Sequence, residues 1–117
     1  MFTFTGFFQP VDNLPIMNQM SAGRAVPIKF RLNGNQGLNI FAAGYPISQQ
    51  IQCTSLAPID TIELTTTAGS SSLNYDSATN MYNYVWKTEK SWQGTCRQFT
   101  VQFIDGQTYT LNFKFVR

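Results

Sequence analysis

The chain has 117 residues, enough for a single domain with one core and too few for a second independent one. Charged residues are 12% and aromatics 15%, with ten Phe, while 40 residues are Ser, Thr, Asn or Gln. This describes a solvated β protein with a Phe-rich core, not a disordered chain. The formal net charge is +2, without a basic run, so nucleic acid and anionic membrane are not expected partners. With no His in the chain, the commonest general base and the commonest metal ligand are missing, and no cofactor is expected.

No apolar run reaches the ~18 residues of a transmembrane helix, and Met1-Phe2-Thr3-Phe4 does not have the form of a signal peptide. Alternation of period two predicts the elements in chain order. Gly6 to Val11, with Pro10 unable to donate to a ladder, suits an edge strand. Val26, Ile28, Phe30 and Leu32 alternate with Pro27, Lys29 and Arg31, and Asn33 to Gly37 end that strand with turn chemistry. Ile47, Ile51 and Cys53 share one parity against Ser48, Gln50 and Gln52, and Ile62, Leu64 and Thr66 alternate with Glu63 and Thr65, which gives two further strands. Ala68-Gly69-Ser70-Ser71-Ser72 reads as a loop, and Leu73 to Tyr82 as a hairpin loop feeding a strand with Tyr82, Tyr84 and Trp86 on one face. Residues 98 to 116 form a hairpin about Asp105-Gly106, for which a type I′ turn is predicted. The total is seven to nine strands in one domain spanning 1–117.

Cys53 and Cys96 lie 43 positions apart near strand ends. Two thiols do not make a metal site, so the pair reads as an inter-sheet disulfide, and two buried free thiols are the alternative. Cys96 differs in parity from Phe99, Val101 and Phe103, which predicts a bulge or a strand that changes sheets.

Pro27-Ile28-Lys29-Phe30 matches the motif that names the PxKF family of bacterial modules appended to exported or cell-surface proteins. The resemblance continues through Gly6 to Asn13, Ala22-Gly23, Gly37 to Phe41, Tyr82 to Thr88 and Trp92 to Arg97. It implies an all-β, immunoglobulin-like antiparallel β-sandwich, an extracellular or cell-surface location and an accessory role, with Pro27, Lys29 and Phe30 as the family motif. Two marks of antibody domains are absent: no Trp follows Cys53 at the strand-C distance, and Gly94 stands two residues before Cys96 where the tyrosine corner would be.

Lys29 points away from the apolar face and reads as an exposed edge Lys, an ion-pair partner, a ligand contact, or an isopeptide partner of Asn112 with Glu63 or Asp76 as proton shuttle. Trp92 and Tyr45 are the loop aromatics best placed to stack on a sugar, Trp92 otherwise packing over the disulfide. Asp76, Ser77, Thr79 and Asn80 are either a weak calcium site or an Asx-turn. Ser70 to Ser72 belong to no nucleophile motif, and no spacing selects a glycosidase pair from Glu63, Glu89 and the four Asp. The reading is a non-catalytic extracellular structural or interaction module, a spacer, scaffold or accessory domain whose partner is a protein or cell-surface component. Carbohydrate binding through Trp92 and Tyr45 is the alternative, and self-association through Met1 to Phe8 as an added strand is a third.

Overall fold

In a computed structural model, residues 2–67 and 73–117 are described; the predicted Ala68–Ser72 loop and Met1 lie outside them. Period-two patterning produces nine strands among these residues: β1 (Phe7–Phe8), β2 (Met17–Ser21), β3 (Val26–Phe30), β4 (Ile47–Ile51), β5 (Glu63–Leu64), β6 (Asn74–Asp76), β7 (Met81–Trp86), β8 (Cys96–Gln102) and β9 (Thr108–Val116). They form a four-stranded sheet ordered β1-β3-β7-β6 and a five-stranded sheet ordered β2-β9-β8-β4-β5. This is the strand order of an immunoglobulin-like sandwich. Every pair is antiparallel except β2 with β9, which run parallel, so the second sheet is mixed. β2, Met17-Asn18-Gln19-Met20-Ser21, escapes an alternation search because its inward position Asn18 is polar; Asn18 is nonetheless buried, donating to the carbonyls of Asp12 and Asn112.

The inner faces meet on Val26, Ile28, Phe30, Tyr82, Tyr84 and Trp86 from one sheet and Phe99, Val101, Leu111, Phe113 and Phe115 from the other. Trp86 is the centre, with ring centroids 5.0 Å from Phe99, 5.2 Å from Phe113 and 5.8 Å from Phe115. Tyr82 is buried because the connection from β3 to β4 folds over it: its hydroxyl accepts from the Gln36 N–H and donates to the Gly37 carbonyl, both at 2.7 Å. Burial pushes the Tyr82 and Tyr84 hydroxyls above their ordinary range, against the opposing hydrogen bonds that Tyr82 shares with the Gln36 N–H and Tyr84 with the Thr65 hydroxyl.

Three expectations are corrected, on the disulfide, on β8 and on the β8–β9 turn. The Cys53–Cys96 disulfide is present, but it joins adjacent strands of one sheet: Ile51 pairs with Cys96, and Cys53 lies two residues beyond β4. β8 neither bulges nor changes sheets, since its register with β4 and β9 is continuous. Cys96 simply points to the outer face with Gln98 and Thr100, and Arg97 points inward with Phe99. On β4 the apolar parity is not the core face. Ser48 pairs with the core residue Phe99 and faces inward, whereas Ile47 and Ile51 face outward. Ile51 is buried there beneath the connection that bridges to it at Pro58 and is tied down by the disulfide. Likewise Ile62 and Leu64 are 58% and 68% exposed instead of joining the core. Finally, the β8–β9 turn has three loop residues: Phe103 N–H donates to Gln107 and Gly106 N–H to Phe103. Only Gly106 has positive φ, at 94°, so this is a type I turn with a glycine bulge, not type I′.

The N-terminal segment is docked on its own domain. Phe7 and Phe8 pair with Phe30 and Lys29, the Phe4 ring stacks 3.8 Å from Tyr109, and the Phe2 N–H donates to Asp105 Oδ2 at 2.6 Å. Within the segment read as available to a neighbour, Phe7 and Phe8 thus pair with β3 of the same chain. Burial pushes the Asp105 carboxyl up, but donation from the Gln107 and Phe2 N–H groups and the Gln107 amide outweighs it and holds the group below its ordinary value. A depressed carboxyl contributes fully above the unfolded pKa of about 4 and loses its contribution as pH falls through the folded value. Residues 2–4 are therefore expected to loosen in acid, seen as loss of amide-exchange protection relative to an unstructured chain at the same pH and as cleavage of the segment below about pH 4. Asp105→Asn should remove that pH dependence; an unchanged acid response in the variant contradicts this assignment.

Candidate functional site

The residues that alternation directs away from the core converge on the outer face of the four-stranded sheet. Phe8 pairs with Lys29, Lys29 with Asn83, and Asn83 with Asn74, so these four side chains form one row across β1, β3, β7 and β6. At about 4.8 Å between strands, the row spans about 14 Å. Met81 and Asp76 pair in the neighbouring row, and Thr79 comes from the loop between them. With Gln9, these residues line a half-open cleft of about 480 Å³, within the usual range for a ligand site.

Within the cleft Lys29 makes no ion pair; among the described residues the one ion pair is Arg97 with Glu63. The Asn83 Oδ1 is sealed from solvent yet accepts no hydrogen bond, an exception that calls for an explanation in a native sheet. Arg31 closes one side: its Nε donates to the Thr79 carbonyl, and its guanidinium lies 4.8 Å over the Phe8 ring. Asp76 Oδ1 accepts from the Ala78 N–H, and Asn80, at φ 58°, accepts from the Tyr75 hydroxyl. The oxygen-rich loop considered for calcium therefore has at least two of its side chains engaged in closing the β6–β7 hairpin.

Trp92 and Tyr45 do not form a platform. Tyr45 precedes β4, whose first residue Ile47 faces Thr100, while Trp92 precedes β8 at Cys96. They stand at opposite ends of a strand about 20 Å long. Nor does Trp92 present a free face: it packs on Trp86 and Phe115, and the Arg97 guanidinium lies 3.9 Å above its ring. Arg97 is 4% exposed, with Nη1 3.2 Å from Ser48 Oγ and 3.6 Å from Glu63 Oε2, and its Nε is buried without a partner. Glu63 and Glu89 do reach one opening beside Trp86 and Trp92, but it is a cleft of about 160 Å³. That is below the few hundred Å³ typical of ligand sites, and Glu63 is engaged by Arg97.

Lys29 and Asn112 lie on the outer faces of different sheets, because Lys29 belongs to the β3 row and Asn112 pairs with Gln98 on β8. The isopeptide geometry is thereby excluded. Of the motif residues, Phe30 is core and stacks 5.4 Å from Tyr82, Pro27 pairs with Val85 on the outer face, and Lys29 alone enters the cleft. Phe8, Gln9, Asn74, Met81 and Asn83 are cleft residues that sequence reasoning did not assign. Their parity was readable for Asn83, which is opposite Tyr82 and Tyr84, but the cross-strand register that lines them up was not.

No protein-family model matches the chain, and no curated protein matches it.

Proposed function

We propose that the chain is a non-catalytic, extracellular interaction module of a bacterial exported protein, a disulfide-braced sandwich that contacts its partner through the outer face of the four-stranded sheet. The observation that carries this reading is how the acidic groups are used. Five of the six carboxylates already have partners: Asp12 accepts from Gln9, Asp60 from Thr61, Asp76 from Ala78 and Asp105 from Phe2 and Gln107, while Glu63 pairs with Arg97. A general acid or base must instead be presented to a reacting atom. The disulfide supports export, since such bridges persist in oxidising compartments. The blocks shared with PxKF modules support the accessory role.

The isolated domain is expected to show no turnover of chromogenic glycosides, esters or peptides. Turnover that disappears in Glu63→Gln or Glu89→Gln overturns the non-catalytic reading.

A further inference from the structure

We propose that the cleft across β1, β3, β7 and β6 is a binding site for a neutral glycan chain, centred on Lys29 and Asn83. This deepens the reading above, on which it rests, by naming the ligand class and moving carbohydrate recognition away from Trp92 and Tyr45.

Charge and hydrogen-bonding capacity select the ligand. The lining contains one ammonium, Lys29, and one carboxylate, Asp76, and the Arg31 guanidinium at its side adds a single further cation. A polyanion would need a row of cations, so nucleic acid and strongly acidic polymers fit poorly. The remaining polar lining is Gln9, Asn74, Thr79 and Asn83, groups that both donate and accept. Sugar hydroxyls also do both, and they are dense enough along a chain to meet several such groups at once. Phe8 and Met81 supply apolar surface for the C–H face of a ring, with the Phe8 ring backed by Arg31.

The unpaired Asn83 Oδ1 strengthens the assignment. A sealed acceptor without a donor is costly by about 1–3 kcal/mol, and turning the Asn83 amide into the cleft that it lines would present that oxygen to a ligand hydroxyl. An extended peptide is a poorer match, because it docks by adding to a sheet edge, whereas this row runs across the face of the sheet.

The test is a titration of the ¹⁵N-labelled domain with soluble hexasaccharides of β-1,4-glucose, β-1,4-xylose, β-1,4-N-acetylglucosamine and α-1,4-glucose, and separately with poly-glutamate. At least one hexasaccharide should shift the amides of Phe8, Lys29, Thr79 and Asn83. Asn83→Ala and Lys29→Ala should each weaken that binding by about tenfold, roughly one hydrogen bond to a polar or charged group. Unchanged affinity in both folded variants overturns the assignment. So does silence from all four sugars at millimolar concentration, or shifts clustered at Trp92 or Tyr45. A response at the cleft to poly-glutamate alone overturns the glycan while leaving the interaction-module reading intact. The turnover assay tests the non-catalytic part of that reading independently.

Discussion

Trp86→Ala is expected to cost about 3–5 kcal/mol, measured as a lowered urea midpoint with an unchanged slope. The side chain is fully buried on β7 and reaches across the sandwich to Phe99 on β8 and to Phe113 and Phe115 on β9. Truncation would leave a void bounded by both sheets, which the strands cannot close without breaking the aromatic contacts around it. For a domain whose total stability is about 5–15 kcal/mol, that is a large fraction, and Tm should fall by roughly 10–20 °C. Trp86→Phe should retain more than half of the lost stability, because it keeps an aromatic ring in the site. A loss below about 1 kcal/mol for the alanine variant would mean that Trp86 is not where the two sheets meet.

Replacing Cys53 and Cys96 together by Ala should remove about 4 kcal/mol, the chain-entropy value for a closed loop of 43 positions. The native fold should survive, since β4 and β8 are already neighbours through five register pairs from Ile47–Thr100 to Ile51–Cys96. The local consequence should be sharper than the global one. Ile51, buried on the outer face under the connection from residue 52 to residue 62, should gain solvent access, and amide exchange at Gln52 and Ile59 should accelerate ahead of β8. Equal stability of the reduced and oxidised proteins would contradict the bracing role.

These two sites also show what could be read before the structure was known. Tyr82, Tyr84 and Trp86 are legible as core because Asn83 and Lys87 occupy the opposite face. Lys29 is legible as outward for the same reason. β4 misleads by the same rule. Ile47 and Ile51 have core-like parity, but their outer face is covered by the following connection, so apolar side chains are needed on the side where alternation predicts solvent. Hydrophobic parity reports burial, not which face does the burying. Arg97 is the complementary case. A charged side chain at an inward position looks like a break in the pattern, and only the positions of Trp92, Ser48 and Glu63 around it make the burial intelligible.

The candidate site was legible one residue at a time. Lys29 stood out, and the Asp76 to Asn80 loop was noticed for its oxygens. The cleft, however, is a property of register: Phe8, Lys29, Asn83 and Asn74 come from four strands and are separated by as many as 75 positions. Nothing local in the chain reports that they are neighbours. The aromatics that do attract attention, Trp92 and Tyr45, are separated by the length of β8, because strand direction and not sequence distance decides which end of the sandwich each loop occupies.

The central claim is that recognition uses the outer face of the four-stranded sheet and not that of its partner. The most direct measurement compares Asn83→Arg, in the middle of the cleft row, with Thr100→Arg, on the outer face of the five-stranded sheet, in the same hexasaccharide titration. Loss of binding in the first with retention in the second is the predicted result. Binding retained by folded Asn83→Arg and lost in Thr100→Arg would contradict it.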